Sequence, residues 1–350
     1  MSCLLLLTAF NFLIQFSNGI HCRDPLDQVV DWFFIYKLPK QQTHDNELIR
    51  KGLAFMYLTS TNDDQWIFSS ISINDSTSLV AHTLRPIFNK NKENLYLLYN
   101  DQPPYGHVSP LKGHTKGVVL ANSTAGLWLI HSVPHFPYNQ QYYEYPLTGT
   151  HFGQSFLCIS LTLDSLNNVG LQLQYNEPHL FAQNLPGNLV KVLPEIYKAA
   201  KNETVTQAPW YRVTNLSSQA NTTFLSFAKS RKFKKDLYAD LVNSVLQENL
   251  YVETWPNEPN RLPSNCDHKF EVDNVLSVSI KQFNISFNNT VDHSKWAVST
   301  GNISANWICI GDINRAKRQT NRGGGTTCFG KSTLANHYLN IINSVQHCEN

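Results

Sequence analysis

The chain has few charged residues, and it has no long hydrophobic run beyond its N-terminus. Only 15% of the 350 residues are Asp, Glu, Lys or Arg, and the formal net charge is +2 with histidine neutral. Such a small excess of positive charge supplies no permanent basic field for nucleic acid. A bilayer-spanning helix needs roughly 20 apolar residues, and no later segment meets that length. We therefore expect no membrane anchor.

Histidine, in contrast, is abundant, with 13 residues in the chain. A free imidazole is half protonated at about pH 6.5, so acidification would make the surface strongly cationic. Binding of a polyanion would therefore be switched on by acid.

The N-terminus has the pattern of a signal peptide. An apolar run from Cys3 to Phe16 is followed by Ser17-Asn18-Gly19, which supplies small residues for cleavage after Gly19. The run is too short for a membrane anchor, although no basic side chain precedes it. Removing residues 1–19 leaves six of the seven cysteines. An even number suits an oxidising compartment, and the sequence alone permits fifteen pairings.

Glycosylation acceptor triplets are also frequent. Eight Asn-x-Ser/Thr sequons follow the signal peptide, which in a chain of the secretory pathway predicts glycans on surface loops. They begin at Asn74, Asn122, Asn202, Asn215, Asn221, Asn284, Asn288 and Asn302.

A His-x-Lys triplet occurs twice. The segment 113–119 reads Gly-His-Thr-Lys-Gly-Val-Val and predicts a strand, with His114 and Lys116 on the same face. One such triplet is a weak signal, but Asp292-His293-Ser294-Lys295 repeats it. In both copies a tryptophan follows the histidine by 14 positions, and the two histidines are 179 positions apart. This matched spacing predicts a duplicated α/β unit, with a first half over 20–175 and a second over 176–350.

Two histidines and two lysines without obvious carboxylate ligands suit phosphodiester chemistry that needs no metal and no other cofactor. One neutral imidazole attacks phosphorus and forms a phosphohistidine, while the other donates a proton to the leaving alkoxide. The lysines supply positive charge to the non-bridging oxygens as negative charge builds.

At this point the sequence resembles the deoxyribonuclease II family of acid endonucleases, itself similar to phospholipase D-like phosphodiesterases. The matching stretches cover most of the mature chain and include Val30-Asp31-Trp32-Phe33, Tyr36-Lys37-Leu38-Pro39, residues 98–104, Gly113-His114-Thr115-Lys116-Gly117, His131-Ser132-Val133-Pro134, Ser226-Phe227-Ala228-Lys229, Leu262-Pro263-Ser264-Asn265-Cys266, Asp292-His293-Ser294-Lys295-Trp296 and Arg322-Gly323-Gly324-Gly325-Thr326. The resemblance implies two phospholipase D-like α-β-α halves related by a pseudo-twofold axis and packed as one globular unit. It also implies cleavage of DNA to 3′-phosphate and 5′-hydroxyl ends.

The resemblance also implies roles for individual residues. His114 and Lys116 match the first catalytic motif, His293 and Lys295 the second, with the nucleophile assigned to His114 and the acid to His293; the reverse order is left open. His131 is expected to line the site, with Asp312 and Asn314 as supporting residues. The family's disulfide pattern implies the pairs Cys22–Cys158, Cys266–Cys348 and Cys309–Cys328. The one departure is Ala297, where relatives often have an unpaired cysteine.

Three functions follow as alternatives. The first is an active acid endonuclease of the extracellular space or the lysosomal lumen. The second is an inactive secreted DNA-binding protein, and the third is a phospholipase D-like lipid phosphodiesterase. Sequence preference and oligomeric state stay open, with a homodimer as one option.

Two further segments have ambiguous patterns. The basic cluster within 224–246 predicts an amphipathic helix, with a solvated cationic edge as the alternative. The run Gly323-Gly324-Gly325 predicts a flexible surface loop, or a phosphate cradle made of backbone N–H groups.

Overall fold

The computed structural model describes residues 19–137, 141–301 and 306–347. The predicted signal peptide, except for Gly19, lies outside these ranges, as do the sequon residue Asn302 and the predicted disulfide partner Cys348. No helix of the described residues is long and apolar enough to cross a membrane.

The first part of the chain forms an eight-stranded antiparallel sheet after a short two-stranded ribbon. The sheet order is β10-β6-β7-β8-β9-β3-β4-β5. Every residue of the four central strands β7, β8, β9 and β3 is buried, so both faces of the sheet are covered. The ribbon and sheet strands are β1 (Cys22–Arg23), β2 (Val29–Val30), β3 (Trp32–Lys37), β4 (Phe55–Thr59), β5 (Asn62–Phe68), β6 (Leu95–Asn100), β7 (Lys116–Ala121), β8 (Gly126–His131), β9 (Gln154–Leu161) and β10 (Leu180–Asn184).

The second part forms a nine-stranded sheet with the order β11-β12-β18-β17-β16-β13-β14-β15, and β19 also pairs with β14. The β13–β14 pair is parallel and the other pairs are antiparallel. The strands are β11 (Tyr211–Ser217), β12 (Thr223–Lys229), β13 (Leu250–Glu253), β14 (Val272–Ile280), β15 (Ile285–Asn288), β16 (Trp296–Ser299), β17 (Ile308–Gly311), β18 (Gly324–Phe329) and β19 (Ile342–Gln346).

Within the described residues, six α-helices lie around and between the sheets. The longest, α3, begins where the Thr162 hydroxyl accepts the Ser165 N–H, and it contacts β8 and β9 of the first sheet as well as β11, β12 and β18 of the second. One apolar cluster therefore joins the inner faces of both sheets, and each outer face has its own cluster. The helices are α1 (Glu47–Lys51), α2 (Leu79–Phe88), α3 (Leu163–Asn176), α4 (Pro194–Ala200), α5 (Asn243–Leu246) and α6 (Ser332–Leu339).

This architecture confirms the prediction of an α/β fold, in which the sheets dominate. The division at residue 175 stays a prediction. Strand β10, at Leu180–Asn184, pairs with β6, so the first sheet takes in a strand beyond that position.

Two of the predicted disulfides lie within the described residues. Cys22 is bonded to Cys158 and Cys309 to Cys328. The first bond ties the N-terminal ribbon to β9, and the second joins the neighbouring strands β17 and β18. Both bonds stabilise mainly by restricting the unfolded chain.

Two local predictions were wrong. The segment 224–246 begins as strand β12 and becomes helical only at a π-helical turn, Tyr238–Val242, which leads into α5. The glycine run is also not a flexible loop, because Gly324 and Gly325 belong to the buried strand β18. In both cases pairing in the sheet decides the conformation: β18 lies between β12 and β17, and it needs small residues where its backbone crosses Phe227.

Candidate active site

The two His-x-Lys motifs occupy equivalent places in the two sheets. Each motif leads into the first strand of an antiparallel hairpin, β7–β8 in the first sheet and β16–β17 in the second. His114 and His293 both line a single cleft of about 310 Å³. This volume is at the lower end of the range for ligand sites. The fold therefore brings together two residues that are 179 positions apart.

Each histidine is attached by its backbone to the opposite half of the chain. The His114 N–H donates to the Gly323 carbonyl at 2.8 Å, and the His293 N–H donates to the Gly153 carbonyl at 2.9 Å. Gly153 comes directly before β9 and Gly323 directly before β18. The position of each imidazole thus depends on a strand end of the other half.

The His293 ring has a fixed orientation. Its Nδ1 lies 3.0 Å from the Ser132 carbonyl, which can only accept a hydrogen bond, so Nδ1 carries a proton. The half-buried Trp255 ring lies edge-on to the imidazole, with centroids 5.2 Å apart. The remaining nitrogen, Nε2, is the atom available for chemistry.

Lys295 lies beneath His293 and is buried. Its Nζ donates to the His293 carbonyl at 2.7 Å, and its backbone N–H donates to the Ser155 hydroxyl at 3.1 Å. Burial, together with the charge of Lys116, lowers the pKa of Lys295 to about 7. The ammonium is therefore charged in acid and loses its charge near neutral pH.

Lys116 lies in a buried ion network that has no counterpart at Lys295 in the described part of the chain. Its Nζ contacts the Asp101 carboxylate, whose other oxygen accepts from Arg322 at 3.0 Å. Burial opposes ionisation of Asp101, but the charges of Lys116, His114 and Arg322 outweigh it, and the pKa of Asp101 is lowered. The network holds two cations and one anion at one wall of the cleft.

Asp312 and Asn314 both lie at the site, but only Asn314 lines the cleft. Asp312 accepts from the Thr115 hydroxyl at 2.8 Å and from the Lys116 N–H at 3.3 Å, so it anchors the first motif from the second half. Burial raises the pKa of Asp312 to about 7. The Asn314 amide donates to Glu258 at 3.0 Å, and its buried oxygen has no hydrogen-bond partner among the residues that the structure describes.

His131 does not line the cleft, contrary to the sequence-based expectation. It has no exposed surface, and its ring packs edge-on against Phe136 and at a tilt against Phe156. Its Nδ1 accepts from the Val133 N–H at 3.2 Å. The segment is near the site because Ser132, the next residue, supplies the carbonyl for His293.

Burial and positive neighbours have the same effect on both active-site histidines. Burial, and then the charges of Lys116 and Arg322, lower the pKa of His114, and the carboxylate of Asp101 only partly offsets them. Burial, and then the charges of Lys295 and Lys116, lower the pKa of His293. Either imidazole is therefore neutral at pH 7 and becomes a proton donor only in acid.

Sequence reasoning did not single out several residues of the site. Asp101, Arg322 and Trp255 lie in its walls, and the buried Asp292 holds the second motif through a contact with the Tyr36 hydroxyl. For Asp101 a signal was present, since a polar Asn-Asp pair ends a buried strand. Trp255 gave no local signal.

Comparison with known proteins identifies the family of the chain. A family model for deoxyribonuclease II matches residues 21–348. The chain belongs to the deoxyribonuclease II family. It is 39% identical over 341 residues to plancitoxin-1 of Acanthaster planci, across 96% of this chain and 94% of the relative. It is 37% identical over 339 residues to deoxyribonuclease-2-alpha of Rattus norvegicus, across 95% of each chain.

More distant relatives carry the same family name. Deoxyribonuclease-2 of Caenorhabditis elegans is 33% identical over 362 residues, across 95% of each chain. Among solved structures, the yeast tyrosyl-DNA phosphodiesterase matches with a TM-score of 0.30 at 10% identity, over 65% of this chain and 69% of that one.

Proposed function

We propose that this protein is an acid endonuclease that hydrolyses DNA phosphodiester bonds without a metal ion, leaving 3′-phosphate and 5′-hydroxyl ends. The observation that carries the proposal is that the histidines of both His-x-Lys motifs line one cleft of a deoxyribonuclease II family chain. The relatives named deoxyribonuclease-2 support DNA as the substrate.

The reaction proceeds in two displacements. In the first, the Nε2 lone pair of neutral His114 attacks phosphorus, the P–O5′ bond breaks, and His293 donates its Nε2 proton to the leaving 5′ oxygen. In the second, neutral His293 takes a proton from water, the hydroxide attacks phosphorus, and the P–N bond breaks. The products are a 3′-phosphate and restored His114.

Lys116 and Lys295 stabilise the transition states of both steps. They lie beneath the two histidines and are almost fully buried, where a fixed charge acts more strongly than in water. One donor aimed at developing negative charge contributes roughly 3 kcal/mol. The Ser132 carbonyl stabilises His293 in its protonated state by accepting from Nδ1.

An acidic optimum follows from the same surroundings. His293 must be protonated to act as the acid, and burial together with Lys295 and Lys116 lowers its pKa. The rate should therefore fall as pH rises through that lowered value. Protonation of surface histidines in acid strengthens binding of the DNA polyanion.

A route through the secretory pathway to the lysosome or the extracellular space fits this chemistry. The Cys22–Cys158 and Cys309–Cys328 disulfides are typical of oxidising compartments. Of the predicted glycosylation sites, Asn122 is half-buried, and six are exposed: Asn74, Asn202, Asn215, Asn221, Asn284 and Asn288.

The first test is nicking of a supercoiled plasmid at about pH 5 in excess EDTA. We expect nicking by the wild type and none by His114→Ala or His293→Ala. The new 5′ ends should accept phosphate from polynucleotide kinase without prior dephosphorylation. A requirement for Mg²⁺, or activity that survives either substitution, would refute the mechanism. DNA binding without nicking would favour the inactive DNA-binding protein. Cleavage of phosphatidylcholine but not of DNA would favour the lipid phosphodiesterase.

The second test assigns the two histidine roles. A duplex in which sulfur replaces the bridging 5′ oxygen at one position has a leaving group that needs no proton. In single-turnover cleavage, His293→Ala should regain most of the lost rate on this duplex, whereas His114→Ala should stay inactive. Recovery by His114→Ala instead would reverse the two roles.

A further inference from the structure

Lys229, the last residue of β12, is a fully buried lysine that lies outside the His-x-Lys motifs. Its Nζ donates to the carbonyls of Gln319, Thr320 and Arg322 at 3.1, 3.2 and 2.6 Å. An ammonium group has three N–H donors, and here three carbonyls accept them. The next residue after Arg322 is Gly323, whose carbonyl accepts from the His114 N–H.

Lys37, the last residue of β3, has the same arrangement in the first half. It too is fully buried, and its Nζ donates to the carbonyls of Thr150 and Phe152 at 2.8 and 2.6 Å. The residue after Phe152 is Gly153, whose carbonyl accepts from the His293 N–H. Each lysine therefore binds the carbonyl of the residue directly before a glycine, and the carbonyl of that glycine accepts from the N–H of a histidine.

The exchange between halves is reciprocal. Lys37 lies in the first sheet and acts on the segment that holds His293, whereas Lys229 lies in the second sheet and acts on the segment that holds His114. We propose that Lys37 and Lys229 are positioning residues, which fix the two glycine carbonyls that place the active-site imidazoles relative to each other.

The physical reason is the convergence of carbonyl groups around each ammonium. Several carbonyl dipoles that point at one buried spot repel one another, and without a donor they stay unsatisfied, at a cost of about 1–3 kcal/mol each. Loss of the ammonium would let the segment before β9 or β18 relax and carry its glycine carbonyl with it. A shift of about 1 Å in a reacting group can cost 10²-fold in rate.

A different explanation is that the lysines only stabilise the fold. Both explanations predict a less stable protein after substitution. They differ in one respect. If the lysines are positioning residues, substitution of Lys37 impairs only the role of His293, and substitution of Lys229 impairs only the role of His114. The proposal depends on the proposed function, because it uses the separate roles of the two histidines.

The experiment compares single-turnover cleavage of the oxygen duplex and the 5′-bridging sulfur duplex by Lys37→Met and Lys229→Met. Both variants should lose about 10²-fold on the oxygen duplex. Lys37→Met should recover most of this loss on the sulfur duplex, because a displaced acid no longer limits the rate. Lys229→Met should recover nothing, because its displaced nucleophile is needed for both substrates.

The matched control is Leu84→Ala, which opens a cavity where α2 packs on the outer core and leaves every residue that lines the cleft unchanged. It should lower the melting temperature without a preference between the two duplexes. Lys37→Gln and Lys229→Gln, whose amides still donate to carbonyls, should be faster than the Met variants on the oxygen duplex. They also keep the comparison possible if a Met variant does not fold.

Two outcomes would overturn the proposal. One is that Lys37→Met loses the same factor in rate on both duplexes, although His293→Ala recovers its rate on the sulfur duplex. The other is a rate loss that simply tracks stability, as in Leu84→Ala. If His293→Ala itself does not recover on the sulfur duplex, His293 is not the acid. That outcome would refute the proposed mechanism, and it differs from the two outcomes that overturn the role of the lysines.

Discussion

The two halves of the site place the same two residue types in the same way, but they surround them differently. Asp101 comes directly after Asn100, which pairs with Lys116. In the second sheet, the last pair of β13 and β16 is Glu253 with Trp296. When this register is extended by one more pair, Trp255 occupies the position beside the second motif that Asp101 occupies beside the first. One half thus presents an ion network, and the other presents an indole ring.

On the proposed mechanism, this difference would let a duplicated motif supply two different chemical roles. The repeated hairpin fixes where each imidazole and ammonium group lies, since these positions depend on backbone geometry. The residues beyond the strand ends set the charge around each imidazole. We propose that a symmetric scaffold with asymmetric neighbours is what separates the nucleophile from the acid.

The largest expected effect concerns the two histidines themselves. His114→Ala and His293→Ala should each lower kcat on DNA by at least about 10³-fold, since attack and proton donation belong to one step. The double variant should have a kcat no lower than that of the slower single variant, because the effects of residues that act as a unit are not additive. Single-turnover assays at about pH 5 measure this, and additive losses would mean that the halves act independently.

The ion network should matter far more for stability than the indole. Asp101→Asn leaves the buried Lys116 and Arg322 without their anion, and we expect a loss of about 3–5 kcal/mol. Trp255→Ala removes a half-buried ring and should cost about 1 kcal/mol. Urea unfolding at pH 7 with the disulfides intact compares them, and equal losses would contradict the assigned asymmetry.

The lysine beneath the acid should control the pH profile. Lys295→Met removes a positive charge that lowers the pKa of His293, so that pKa should rise. Because His293 must be protonated, the falling limb of kcat/KM should move to higher pH while the maximal rate drops. The exposed Lys235→Met is the matched control and should leave the profile unchanged. A downward move of the limb would show that His293 is not the acid.

The smallest effect concerns the stability contributed by Asp312. Burial raises its pKa from 3.8 to about 7, so the folded state holds this proton more tightly than the unfolded state. Its contribution to stability is therefore present below about pH 4 and is lost as pH rises toward 7. The melting temperature of Asp312→Asn relative to wild type should rise over this range by about 2–4 °C.

Thermal melts from pH 4 to pH 8 test this prediction. The exposed Asp267→Asn serves as the matched control, with no expected trend. A relative melting temperature for Asp312→Asn that falls with pH would show that the carboxylate is stabilised in the ionised form.

Much of the fold could be predicted where the signal is local. The strand predicted at the first His-x-Lys triplet, over 113–119, is confirmed by β7 (Lys116–Ala121). The helix predicted for 224–246 failed because pairing with β11 and β18 outweighs the local helical pattern of Phe224–Lys229. The glycine run became a strand for the same reason.

Only part of the site could be predicted, because its residues are far apart in the chain. His114, Lys116, His293 and Lys295 could be found because their spacing repeats, whereas Asp101, Trp255 and Arg322 have no repeated pattern. His131 belongs to a recognisable segment, yet its neighbour Ser132 faces the site, because side chains and carbonyls at a strand end point in different directions.

The sequence by itself determined the family, the two motifs and the residue types that can attack phosphorus and donate a proton. Only the tertiary structure decided which backbone groups hold those residues. The carbonyls of Gly153 and Gly323, and the lysines beside them, act across 90 or more positions of chain. Hydrogen bonds of that range leave no local pattern, since any residue can offer a carbonyl, and only folding selects which one meets a histidine.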